Sequence, residues 1–111
     1  MEKSTAIFIL LETKEYLASL DDPIRKQFSK VFDKTQAGTK GDWFKKLRNT
    51  DGIHEFRVSF KKNIYRIFAF WDTLGETETL IVCTHGLNKK TQKTPKDDIK
   101  KAENLKRQYF S

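Results

Sequence analysis

The residues of this chain with chemistry to offer are cations, at a strand-to-helix junction and inside strands. The junction reads His85-Gly86-Leu87-Asn88-Lys89-Lys90-Thr91-Gln92-Lys93-Thr94-Pro95; it follows the apolar run Leu80-Ile81-Val82-Cys83 and leads into a helix signature. Proteins place working groups on such rigidly held rims. Arg57 and Arg66 fall within strand-like runs upstream, an odd place for arginine unless something anionic lies over the sheet. Arginine offers a planar fork of donors matched to phosphate, while lysine supplies a point charge that can steady a pentacoordinate phosphate or protonate a leaving oxygen. Phe68, Phe70 or Trp71 nearby would stack a base of single-stranded RNA. Each residue also has a plainer use: an arginine can pair with Glu55, a lysine run is ordinarily solvated surface, and a lone histidine is ordinarily structural.

Composition narrows the chemistry. The 111 residues suit one domain, 1–111, and Lys plus Arg at 22 against Asp plus Glu at 15 leaves a net charge of +7. That excess favours a polyanionic partner such as nucleic acid, the ribosome or an acidic protein. Nine phenylalanines, two tryptophans and three tyrosines argue against disorder. The apolar run Ala6–Leu11 is too short to span a membrane, so no membrane partner is expected. Cys83, the only cysteine, fits a reducing cytoplasm and a place in the core. One cysteine and two histidines do not make a structural zinc site, and neither a phosphate-cradling glycine loop nor a serine-nucleophile motif occurs. The expected chemistry therefore needs no metal or cofactor. Metal-free RNA cleavage fits, with the substrate's own 2′-hydroxyl as nucleophile and protein cations stabilising charge on the phosphoryl oxygens.

The elements that must position these groups follow from periodicity. Ala6–Leu10 reads as a strand and Glu12–Leu20 as a short helix; Asp22, as a cap before Pro23, starts an amphipathic helix bearing Ile24, Phe28, Val31 and Phe32. Ile53–Phe60 and Ile64–Trp71 form a hairpin, for which a two-residue turn at Lys62-Asn63 predicts Ser59 opposite Arg66 and Arg57 opposite Phe68. Phe56, Val58, Phe60, Tyr65, Ile67 and Ala69 then share one face; Glu55, Arg57, Ser59, Arg66, Phe68 and Phe70 share the other. Arg57 and Arg66 become diagonal neighbours able to hold one phosphate. A strand over Glu78–His85 and a helix capped by Thr94 complete an α+β fold. It is a small antiparallel sheet with two N-terminal helices on one face, a partly open second face and a C-terminal helix.

Together, Lys46-Leu47, Gly52-Ile53-His54-Glu55-Phe56-Arg57-Val58, Tyr65-Arg66-Ile67-Phe68 and the run His85–Pro95 resemble the phage-derived HigB-type branch of the RelE/ParE toxin superfamily, over roughly residues 6 to 109. The resemblance implies a RelE-like toxin of a type II toxin-antitoxin system. Such a toxin enters the ribosomal A site, cuts mRNA and is neutralised by a helix-turn-helix antitoxin. By that resemblance Arg57 and Arg66 match phosphate-binding cations, and Lys89, Lys90 and Lys93 a basic loop. Lys46, Lys61, Lys62 and Phe68 join the expected RNA and ribosome surface. Leu87 stands where the motif usually carries an aromatic, and no tyrosine or histidine occurs between Lys90 and Lys100, so His85, His54 and Lys93 are the candidates for proton transfer. A gyrase-inhibiting ParE-like toxin, or an inactive interaction module on the same fold, are the alternatives.

Overall fold

Two lysines make the turn on which the site depends. Lys61 and Lys62 take φ of 47° and 67°, the left-handed pair that a two-residue hairpin turn needs to match the twist of its strands. The turn joins β3 (His54–Phe60) to β4 (Asn63–Asp72) in a computed structural model that describes residues 3–89 and 94–111. It lies one residue earlier than the Lys62-Asn63 turn expected from asparagine's tolerance of that conformation. Arg57 therefore pairs directly with Arg66, and Glu55 with Phe68. The expected diagonal relation is replaced by a direct one, although the two arginines remain on the same face.

Around this hairpin the chain runs β1 (Ser4–Ile9), α1 (Leu11–Ser19), α2 (Asp22–Gln36), β2 (Phe44–Lys46), β3, β4, β5 (Glu78–Lys89) and α3 (Lys96–Phe110). The five strands form one sheet in the order β1-β5-β4-β3-β2. All neighbours are antiparallel except β1 and β5, which run parallel with Ile7 opposite Ile81. The α+β class thus holds, with a parallel edge strand and a three-residue β2 added to the expected antiparallel sheet. No helix among the described residues is long and apolar enough to cross a membrane.

Both faces of the sheet are covered. Leu20, Ile24 and Phe28 of the α1–α2 layer pack on Phe56, Val58, Ile67, Ala69, Ile81 and Cys83. On the other side Ala102 and Tyr109 of α3 pack on Ile53, Phe68, Phe70 and Val82. The second face is therefore not the partly open one expected. Phe68, Phe70 and Val82 give it apolar area that water would penalise, and the apolar edge of α3 is the element available to cover it. Tyr109 Oη donates to Asp72 Oδ2 at 2.7 Å and anchors the end of that helix.

The motif residues of β5 hold the layers together. His85 is 3% exposed and stacks on Phe68 with ring centroids 4.8 Å apart. Its Nε2 lies 3.2 Å from Asp98 of α3, and its Nδ1 3.1 Å from Thr84 Oγ1. Burial outweighs the Asp98 hydrogen bond and lowers the imidazole's pKa below its ordinary value. The neutral ring consistent with this donates Nε2–H to Asp98 and faces the Thr84 hydroxyl with Nδ1; that hydroxyl also reaches the Phe68 carbonyl at 3.3 Å. Gly86 lies under the Tyr16 ring: a Cβ there would stand 2.1 Å from a ring carbon. The Tyr16 hydroxyl is shared between the Leu87 carbonyl and Asn88.

Candidate functional site

A glutamate organises the two arginines. Glu55, 3% exposed, sits between them, with Oε1 2.8 Å from Arg57 Nε and 3.3 Å from Arg66 Nε. Its other oxygen accepts from the Thr94 hydroxyl at 2.7 Å. A carboxylate thus stands where a phosphate shared by the arginines was expected. The two guanidinium groups differ sharply in access. The Arg66 side chain is wholly buried and that of Arg57 is 31% exposed. Burial lowers the pKa of Arg66 and Glu55 opposes the shift, so the acid compensates a cation the fold has desolvated. Arg66 is therefore not the surface cation the strand pattern suggested, and Arg57 is the arginine that reaches solvent.

Arg57 opens into a groove of about 250 Å³ shared with Lys45, Lys46, Leu47, Arg48, Glu55 and Asp42. β2 supplies the lysines: Lys45 opposes Glu55 and Lys46 opposes His54 at the sheet's edge. Arg48 stands on the connection from β2 to β3, which is built to hold it. Asn49 and Gly52 adopt positive φ there. The Thr50 hydroxyl donates to the Leu47 carbonyl (2.9 Å) and accepts the Ile53 amide (3.1 Å). From α3, Glu103 accepts the Asp51 amide at 2.8 Å and Lys106 donates to the Asp51 carbonyl at 2.8 Å, so the loop cannot swing freely. Arg48 also borders a second depression with Lys96 and Lys100 of α3, extending the positive surface along the molecule. Four cations against two carboxylates in one small groove suit a phosphodiester, with Arg57 supplying directed donors and the lysines point charge.

The structure sorts the remaining expected site residues. Lys46 lines the groove, while Lys61 and Lys62 are exposed at the hairpin tip, about 14 Å along β3 from Arg57 at 3.4 Å per residue. Phe68 is fully buried beneath α3 and His85, so it does not stack a base. Phe70 is buried likewise, whereas Trp71 is half-buried. Lys90 and Lys93 lie outside the described residues. Lys89 ends β5 opposite Ile64, and Thr94, on the far side of the lysine run, bonds Glu55; both ends of that run are thus tied to the hairpin that carries the arginines. His54 has both ring nitrogens engaged, Nδ1 facing the Gly52 carbonyl at 3.3 Å and Nε2 accepting Trp71 Nε1–H at 3.2 Å. Burial, with Lys46 and Lys106 nearby, lowers its pKa. Lys45 and Arg48 were not singled out from sequence, though cations alternating around Leu47 were the available signal.

A search of curated proteins finds no match. Residues 15–107, which include β2 to β5, the groove and most of α3, match the family described as Phage derived protein Gp49-like (DUF891). This chain therefore belongs to the Gp49-like phage-derived family, a RelE/ParE-like family of toxins from toxin-antitoxin systems.

Proposed function

We propose that the protein is the HigB-type toxin of a type II toxin-antitoxin system, a ribosome-dependent mRNA endonuclease acting in the cytoplasm and neutralised by a helix-turn-helix antitoxin. The observation that carries this reading is the convergence of Lys45, Lys46, Arg48 and Arg57 on one groove, braced from behind by the buried Glu55–Arg66 pair. Cleavage in this proposal starts with attack of a ribose 2′-oxygen on the adjacent phosphorus, and the 5′-oxygen leaves as the cyclic phosphate forms. Arg57 hydrogen-bonds the phosphoryl oxygens as their charge grows, and the lysines and Arg48 supply the surrounding field. Arg66 is a positioning residue: through Glu55 it fixes the rotamer of Arg57. Both histidines have their ring nitrogens engaged, which leaves Lys93 for proton transfer. Lys89 and Lys90 dock the ribosome by phosphate contacts, each of which would add to the salt dependence of binding.

The test is induced expression with mapping of new mRNA 5′ ends. Wild type should arrest growth and cut within translated codons. Arg57→Ala should slow cleavage by about 10²–10³-fold, the scale for losing one preorganised donor. That substitution should cost about 1–2 kcal/mol of stability, between an exposed and a buried pair. Intact mRNA with inhibited gyrase would transfer the protein to the supercoiling-directed class; intact mRNA and active gyrase would remove the enzymatic reading.

A further inference from the structure

A cavity of about 440 Å³ opens across β2 from the basic groove, and the chemistry above makes no use of it. Phe44, His54 and Trp71 line it together with Thr35, Thr39 and Lys46. His54 stacks on Phe44 with centroids 5.0 Å apart at 20°, and Trp71 meets both rings near edge-on at 6.1 Å. These rings are half-buried, so they are packed from behind yet presented to the cavity. The Trp71 N–H is committed to His54, whose lowered pKa leaves the aromatic lining uncharged, suited to a nucleobase.

Two further observations select the ligand. The cavity lies at the C-terminal end of α2, beside Thr35 and Gly38, where the helix dipole is negative and disfavours phosphate while favouring hydrogen-bond donors. Lys46 lines both this cavity and the groove, and β2 is the edge strand, so nothing of the sheet lies beyond it to block a chain passing from one to the other. The volume is within the range of about 300–1,000 Å³ that small ligands ordinarily occupy. We propose that this cavity receives an unpaired nucleobase of the RNA whose phosphate lies in the groove, with Lys46 holding the connecting phosphate at the edge of β2. The inference rests on the endonuclease reading and adds a base-recognition subsite to it.

Trp71 reports on its own site once Trp43, the other tryptophan, is replaced by phenylalanine. Adenosine 5′-monophosphate should quench Trp71 fluorescence saturably, and ribose 5-phosphate, which lacks the base, should not. Thr39→Tyr, at an exposed position on the rim, should fill the cavity without changing thermal unfolding. It should weaken the nucleotide about tenfold or more, within the range of one base stack, and flatten any base preference beside the mapped mRNA cuts. Equal quenching by the two phosphates, or unchanged nucleotide binding in Thr39→Tyr, would overturn the proposal. If mRNA is cut but the nucleotide does not bind, the subsite falls alone. If the nucleotide binds in the cavity but mRNA stays intact, the endonuclease reading falls and the nucleobase site stands.

Discussion

Removing either member of the buried pair should cost more than a surface substitution, because the remaining charge keeps its desolvation. Arg66 is wholly buried and Glu55 nearly so. Breaking such a pair from one side costs about 3–5 kcal/mol. For 111 residues, an unfolding entropy of about 2.1 cal/mol/K per residue gives about 0.23 kcal/mol/K, so the loss lowers the midpoint by about 13–21 °C. Glu55→Leu and Arg66→Met should each show this fall in thermal and urea unfolding followed by circular dichroism. The double variant should recover most of it, since apolar replacement of both partners removes the desolvated charges together. The cycle also protects the functional test, because lost toxicity in an Arg66 variant would report unfolding as readily as chemistry. A single-variant shift under about 4 °C, or a double variant that falls by the sum of the singles, would refute the argument that the acid compensates a buried cation.

Acid should weaken the fold before its carboxylates titrate. His54 and His85 both have pKa values lowered from 6.5, chiefly by burial, so below about pH 6.5 the unfolded chain binds protons that the folded chain refuses. Stability measured by urea unfolding should be flat above about pH 7.5 and fall on acidification through 6.5, and His85→Gln should reduce that slope while lowering stability overall. Gly86→Ala should cost about 1–3 kcal/mol by urea unfolding, since its Cβ would meet the Tyr16 ring at 2.1 Å. Lys62→Gly should raise the unfolding midpoint, with a gain of up to about 1 kcal/mol, because φ of 67° is strained for lysine and free for glycine.

Faces were more legible in the sequence than partners. A two-residue turn displaced by one position shifts the pairing by two residues, which leaves every side chain on its own face; Arg57 and Arg66 therefore shared a side despite the misplaced turn. Arginine in an alternating strand pattern reads as outward, and although Glu55 was a visible partner, nothing local told that the Arg66 side chain would be wholly buried. Phe68 and Phe70 on the same face did signal a cover, since such rings are seldom left wet. The parallel partner of β1 was not readable, because Ile7 and Ile81 carry no mutual mark beyond being apolar. β2, at three residues, is below the length at which periodicity speaks.

The pairing of β1 with β5 also has a bearing on time. The strand at residues 4–9 has its sheet partner at residues 78–83, so the sheet cannot close while the chain is still being made through its middle. Contacts of such long sequence separation form slowly and late. The hairpin bearing both arginines emerges from synthesis earlier than β5, which lies between β4 and β1. A chain interrupted before residue 78 would carry those arginines with no sheet complete enough to seat them. The sheet that seats the buried ion pair is thus completed only after residues 78–89 have been made, well after the hairpin itself.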